Sequence, residues 1–398
     1  MRHRPMEVLA ASAIAVCCLA LAIRPMIQSP KPEAPEVPAP VVEVATPVQS
    51  TAPVQTTAAT RPRIDVVFVL DTTGSMSGLI EGAKQKIWAI ANRLASGEPR
   101  PDLRIGLVAY RDIGDEYVTK RFDFSSDMDA VYAELLGYEV NGGGDHAEHV
   151  GRGLEDALER MQWTAGDKVL RLVFLVGDAP PHDDYQDSPT TDALAKRAAE
   201  RGIIINTVQC GAGPDAEVAW RRIAAATNGE YTSIAQNGGV VAVATPYDGR
   251  LQQLNYDLSG TMLNWGSSAD KHSAAAKLGN RMAMSASAAA EAASYSAKVG
   301  RLNSEDLLGA LDGGQALTDI PRDQLPDVMQ AMTPEQQAAH VSDIRRKRGE
   351  VNEEIRALSA QRDAFLREAE RAAGAGDGFD GKVTDTLRRQ AEAIGVSY

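Results

Sequence analysis

The chain has 398 residues, 44% of them apolar and 24% charged, a globular balance with room for one to three domains. A formal net charge of −13 excludes a basic nucleic-acid-binding surface. Of three cysteines, Cys17 and Cys18 adjoin in an apolar N-terminus and Cys210 stands alone, which excludes a disulfide framework and a cysteine zinc site.

Arg2, His3 and Arg4 precede an apolar run from Val8 to Ile23, closed by Arg24 and Pro25. With Ala20-Leu21-Ala22 this fits a secretory signal. The run is slightly long for a signal and short of the about 20 residues that span a bilayer. Residues 1–24 therefore read as a signal peptide or an uncleaved membrane anchor, and Val16 before Cys17 speaks against a lipoprotein. Residues 25–62, rich in Pro, Ala, Val and Thr, read as a disordered tether. Either way the chain is expected outside the cytoplasm, periplasmic or in the cell envelope, secreted or anchored.

Residues 63–260 alternate strands and helices. Ile64–Leu70 is apolar almost throughout, as a central parallel strand covered on both faces should be. A helix follows with Ile80, Ala83, Ile87, Ile90 and Leu94 on one face. The spacing then predicts a strand over Leu103–Tyr110, an edge strand over Tyr117–Phe124, and helices near Met128–Leu136 and Glu148–Met161. A strand over Val169–Val176, a helix near Thr191–Arg201, a strand over Ile203–Val208, a helix over Glu217–Ala226 and a short strand near Tyr231 follow, with a last helix on Leu251, Leu254 and Leu258. Such alternation predicts an α/β fold, a doubly wound, mostly parallel sheet, in which ligands gather at the strands' carboxyl ends. Asp71 and Asp178 each fall at such an end.

Asp71-Thr72-Thr73-Gly74-Ser75 offers a carboxylate and hydroxyls at alternate positions of a tight loop. Hard divalent ions take oxygen ligands, and Mg²⁺ keeps some of its waters. Two strand-end carboxylates and two hydroxyls supply half a shell, and the loop Asn141-Gly142-Gly143-Gly144-Asp145 can bring a third carboxylate. Asp-x-Thr-x-Ser after the first strand, Gly-Gly-Gly-Asp-His-Ala-Glu in mid-domain and Gly-Asp-Ala-Pro-Pro-His after a later strand together resemble a von Willebrand factor type A domain with a metal-ion-dependent adhesion site, of a bacterial exported type. Val108-Ala109-Tyr110-Arg111-Asp112 with Gly114-Asp115 resembles the branch whose first loop reads Asp-Thr-Thr-Gly-Ser-Met.

The resemblance implies that Thr73 and Ser75 bind a metal through their hydroxyls and that Asp71 and Asp178 act largely through water. It implies an open position for a partner's carboxylate. Thr73 replaces the commoner serine and keeps the hydroxyl. The mid-domain loop carries an acid where many members have threonine: Asp145 is the first choice for that ligand and Glu148 the second. An added carboxylate makes the ion a weaker Lewis acid toward an anionic ligand. Mg²⁺ is the expected ion, with Mn²⁺ or Ca²⁺ as substitutes.

Other readings are weaker. Asp71 alone at a strand end could cap a helix. His182 after Pro180-Pro181 is read as a loop-packing residue, and His146 and His149 lack zinc spacing. Gly142-x-Gly144-x-x-Ala147 lacks the first strand of a dinucleotide fold. Met76 occupies the serine position of a nucleophile elbow, and Cys210 reads as a core thiol.

Residues 261–340 read as an Ala-rich linker and short helices, with Thr333 capping and Pro334 at the first helical position. Residues 341–373 read as a charged helix whose Ile344, Val351, Leu358 and Phe365 recur every seven residues, as in a coiled coil. Arg348 and Arg362 break that seam, so an intrachain hairpin and a self-associating dimer both stay open. Residues 374–398 read as a tail with a short helix on Val383, Leu387, Ala391 and Ile394. The expected protein is a non-enzymatic, metal-dependent adhesion or assembly module. Its alternatives are a structural scaffold with a non-functional site and a metal-dependent hydrolase using Asp71, Asp178 and His182.

Overall fold

Strand β1 (Arg63–Asp71) is buried along almost its whole length, and its alternate side chains enter two different cores. Ile64, Val66, Phe68 and Leu70 point to one face of the sheet, Val67 and Val69 to the other. The computed structural model describes residues 61–144, 146–236, 243–373 and 379–398, all within one compact unit, Thr56–Tyr398. The signal or anchor and nearly all of the tether expected over residues 1–62 lie outside the described residues. No helix among the described residues is long and apolar enough to cross a membrane.

After β1, helix α1 (Ser77–Leu94) leads to β2 (Asp102–Tyr110) and the edge strand β3 (Thr119–Ser125). Helices α2 (Met128–Leu136) and α3 (Val150–Glu155), strand β4 (Val169–Gly177), helix α4 (Thr191–Glu200), strand β5 (Ile203–Cys210), helix α5 (Pro214–Ala226) and strand β6 (Tyr231–Ile234) complete the alternation. The sheet order is β3-β2-β1-β4-β5-β6, and every pairing is parallel except that of β2 with β3. This is the doubly wound, mostly parallel sheet the alternation predicts. The chain leaves β1 toward β2 on one side and returns to β4 on the other, so the crevice between the carboxyl ends of β1 and β4 is the topological switch point.

Helix α3 starts later than the apolar spacing predicts. Its cap is His149, whose Nδ1 accepts from the Arg152 N–H. Glu148 stays outside the helix because its backbone bonds elsewhere: its N–H donates to Pro180 O at 3.0 Å and its carbonyl accepts from the His182 N–H at 2.9 Å. That short parallel bridge ties Glu148 to the loop after β4.

The remaining chain is helical: α6 (Asp248–Ser259), α7 (Ser268–Met282), α8 (Ala286–Val299), α9 (Leu307–Asp312), α10 (Pro334–Ala373) and α11 (Phe379–Ala391). Within the stretch read as an Ala-rich linker, α8 is packed tightly, with Ala288, Ala289 and Ala292 in the same core as α1. Small side chains bury little area each, but they let two helices approach closely and exclude water along their whole contact. Helix α11 sends Val383, Leu387 and Ala391 into that core as well.

The seven-residue repeat of α10 is used within the chain. Val351, Ile355 and Leu358 pack with Leu251, Leu254 and Leu258 of α6 and Ala290, Ala293 and Ala297 of α8. Arg348 and Arg362, which interrupt the repeat, are buried and paired. The Arg348 guanidinium donates to both carboxylate oxygens of Asp306 and to Thr261 O at 2.7 Å. Arg362 donates to Asp248 Oδ1 at 2.7 Å and to Glu291 Oε1 at 2.5 Å. Helix α10 thus packs within the chain, as the hairpin reading expects.

Candidate metal centre

Asp71 closes β1, fully buried, and the next turn folds back onto it. Its Oδ1 accepts from the Thr73 N–H at 2.8 Å and from Thr73 Oγ1 at 2.7 Å, and Thr73 Oγ1 lies 3.3 Å from Ser75 Oγ. These bonds hold the two hydroxyls at the head of α1. Asp71 Oδ2 is buried and has no hydrogen-bond partner among the described residues.

A cleft of about 340 Å³ opens beside this turn, lined among others by Thr73, Ser75, Gly143, Glu148, Asp178 and Gln236. The switch point thus joins residues 71–75, 148 and 178, three segments remote in sequence. Glu148 is buried, and its Oε2 also lacks a partner among the described residues. Gly143 passes between the first loop and Glu148 with φ +85°: a Cβ there would stand 3.3 Å from Thr73 Cβ and 3.5 Å from Glu148 Oε1. Asp145, the first choice for the mid-domain ligand, lies outside the described residues.

Arg111 organises the back of the cleft. Fully buried, it donates to Thr72 O at 3.2 Å and to Glu139 O at 2.7 Å, which fixes the first loop to the segment leading into the glycines. Asp115 accepts from the Gly143 N–H at 3.2 Å and steadies the glycine loop from the other side. Asp112 accepts from Tyr185 Oη at 3.0 and 2.9 Å.

The buried carboxyls carry the electrostatic consequence. Burial raises Asp71 to about 7, opposed by the hydrogen bonds from Thr73 and reinforced by the charge of Asp178. Burial raises Glu148 to about 9, with Asp71, Asp112, Asp115 and Asp178 adding like-charge repulsion. The same surroundings push the Cys210 thiol well above its ordinary range, as expected of a core thiol and not of a nucleophile.

The histidines take structural places. His149 is fully buried, accepts at the start of α3 and reaches Asp187 at 3.0 Å through Nε2. His182 stacks on Tyr185 with ring centroids 4.2 Å apart, and its Nδ1 lies 2.9 Å from Asp184. His146 lines the cleft and pairs with Asp215 at 2.8 Å.

Among the described residues, no group of three or more His, Cys, Asp and Glu side chains stands ready to hold a metal ion. An ion at this cleft therefore depends on the two hydroxyls and on water as well as on carboxylates. The donor set fits a hard cation: two buried carboxylate oxygens lack partners beside two hydroxyls and the Asp178 carboxylate.

Gln236 is the residue that sequence reasoning missed. Its Nε2 donates to Asp178 Oδ2 at 2.6 Å and to Ser75 O at 3.3 Å. Gly211, at φ +77°, makes room for it: a Cβ there would fall 2.3 Å from Gln236 Oε1. A lone glutamine just past a short strand carries no motif, and only the fold brings it to this rim.

Fold and cleft define the class: a doubly wound domain with an oxygen-rich crevice at its switch point. Residues 65–246 match the family described as the von Willebrand factor A domain. Among curated proteins, the alpha-protein kinase vwkA of Dictyostelium discoideum is 29% identical over 122 residues, 30% of this chain and 19% of that protein. The chain thus spans less than a fifth of that relative's length. Among solved structures, proximal thread matrix protein 1 from the mussel byssus, with a zinc-occupied metal-ion-dependent adhesion site, is 17% identical. That likeness covers 44% of this chain and 43% of the other at a TM-score of 0.35. The SpRpn10 VWA domain is 15% identical over 44% of this chain and 89% of that one, with a TM-score of 0.35. BatB of Bacteroides thetaiotaomicron is 16% identical over 44% and 90%, with a TM-score of 0.32.

Proposed function

We propose that this chain is a non-enzymatic protein-binding module whose partner engages a divalent cation in the cleft. The observation that carries the reading is the pair of buried carboxylate oxygens, Asp71 Oδ2 and Glu148 Oε2, left without partners where Thr73, Ser75 and Asp178 converge. Burying a carboxylate with no compensating partner costs several kcal/mol or forces it to take up a proton. A divalent ion would remove that cost. Thr73, Ser75 and Glu148 would hold it, with Asp71 and Asp178 behind them. Bound there, it would supply a point of attraction for an oxygen of the partner. Hydroxyls, carboxylates and water favour Mg²⁺, with Mn²⁺ or Ca²⁺ as substitutes, over a soft ion.

His182 stacks on Tyr185 and its Nδ1 meets Asp184, which supports a loop-packing role for it over that of a hydrolase base acting with Asp71 and Asp178. Export to the cell envelope belongs to the same proposal and rests on the basic residues and apolar run of the N-terminus; fractionation of a C-terminally tagged chain checks it.

Calorimetric titration of the full chain with Mg²⁺, Mn²⁺ and Ca²⁺, repeated on Asp71→Asn, tests the site. Binding in the wild type and its loss in the variant, with unchanged circular dichroism, is expected. A wild type that binds none of the three ions would sink the reading.

A further inference from the structure

We infer that the loaded cleft selects against acidic partners and takes a neutral oxygen or amide carried on a basic peptide segment. This deepens the proposed function and rests on it. Three carboxylates, Asp71, Glu148 and Asp178, stand at the site. Against them a divalent ion brings two positive charges, so the loaded centre is net negative. Glu148 is the decisive residue: it is buried, lines the cleft, and has an oxygen with no partner among the described residues.

The surroundings offer an anion no compensation. Among the described residues, neither lysine nor arginine lines the cleft. Arg111, the cation behind it, is spent on the carbonyls of Thr72 and Glu139 and on Glu116. His146, which is also on the lining, is matched by Asp215, and Asp115 adds a further carboxylate at the glycine loop. An incoming carboxylate would meet a screened ion inside a ring of like charge, an arrangement that rejects partners. A basic segment meets the same ring as attraction.

The chain itself shows what the rim accepts. The group seated there is the carboxamide of Gln236, whose N–H donates to Asp178 and to the Ser75 carbonyl. It is neutral, and it presents a donor to the carboxylate side of the cleft. A partner amide or a backbone carbonyl with its flanking N–H can take the same place, whereas a carboxylate has no proton to give Asp178.

Selection from a random dodecapeptide display library tests this. The full chain is immobilised in Mg²⁺ and bound peptides are eluted with chelator, alongside calorimetric titration of Mg²⁺. Eluted peptides should be enriched in Lys, Arg, Asn and Gln, with Asp and Glu reduced about tenfold against the input. In Glu148→Thr, which removes one negative charge and keeps an oxygen donor, Asp and Glu should return. Chelator-eluted peptides rich in Asp or Glu from the wild type overturn the inference while leaving the metal-dependent module standing. Peptides of unchanged charge in Glu148→Thr, when that variant still binds Mg²⁺, overturn the part assigned to Glu148. Absence of Mg²⁺ binding, or of any chelator-eluted peptide, removes the proposed function and this inference with it.

Discussion

Two regions of this molecule treat their buried acids in opposite ways. Where the helical tail meets the sheet domain, each has a cation: Asp127 and Glu305 share Lys277, Asp129 meets Arg281 at 2.7 Å, Asp248 and Glu291 share Arg362, and Asp306 meets Arg348. Burial pushes Asp127 up, yet hydrogen bonds from Lys277 and Ser304 bring it below the ordinary aspartate value. At the carboxyl ends of β1 and β4, Asp71 and Glu148 have no cationic side chain paired with them among the described residues, and each keeps an oxygen without a hydrogen-bond partner, as Asp129 Oδ2 also does beside its Arg281. The difference separates two uses of one chemistry. Paired acids fix one helical arrangement against others, and unpaired acids hold a place for a cation from solution.

The largest effects should come from removing a cation from the first region. Arg281 is almost wholly buried, bonded to Asp129, Asn255 and Ser296, with its guanidinium 5.2 Å from the Trp88 ring centre. Arg281→Ala leaves Asp129 buried and uncompensated and should cost about 3–5 kcal/mol in urea unfolding. If the two regions are independent, Mg²⁺ affinity per folded molecule should not move. Somewhat smaller is the loss of apolar packing from α11. Leu387 is fully buried in the core that α1 also enters. Leu387→Ala should cost about 2–5 kcal/mol, and a variant that loses nothing would mean the tail is not part of the cooperative unit.

In the second region the sign reverses. Asp71→Asn removes a buried charge and keeps the shape, so without metal it should leave stability unchanged or raise it by about 1–2 kcal/mol while abolishing Mg²⁺ binding. The pH dependence follows from the same carboxyls. Unfolded, Asp71 and Glu148 release their protons near 4; folded, they hold them to about 7 and about 9. Between those values the folded state binds more protons, so metal-free stability is fully present below about 4 and falls as pH rises through 7 toward 9. Saturating Mg²⁺ should cancel that fall, and Mg²⁺ affinity should climb over the same interval because protons compete with the ion. Urea titrations at several pH values, with Mg²⁺ and with chelator, read both effects. Parallel curves in the two conditions would break the contrast between the regions.

The fold was legible because a parallel strand buried on both faces writes itself as an unbroken apolar run, and Ile64–Leu70 and Val169–Val176 are such runs. Asp71, Thr73, Ser75 and Asp178 could be proposed because each sits in a short motif at a strand end. Glu148 was harder: spacing placed it inside a helix, while a backbone bridge to Pro180 and His182 holds it outside, toward the cleft. Gln236 was illegible, since its place depends on the space at Gly211 and on the pairing of β6 with β5. In α10 the periodicity was read correctly as a seam, but sequence could not say what faces it. The partners of Arg348 and Arg362 lie as far away as Asp306 and Asp248.

The smallest effect supplies the control. Arg250 and Glu354 join α6 to α10 through two hydrogen bonds of 2.7 and 2.8 Å, a fork as well formed as that of any buried pair. Both side chains are nearly half exposed, at 49% and 44%. Water already solvates these charges in the unfolded chain and screens them in the folded one, so the bond gains little. Glu354→Ala should cost less than about 1 kcal/mol, falling further in high salt. Measured beside Arg281→Ala, it separates burial from geometry as the source of the difference between the regions. A cost near that of Arg281→Ala would show that the helical tail is held by the number of its ion pairs, and the unpaired carboxylates of the cleft would then need an explanation other than their burial.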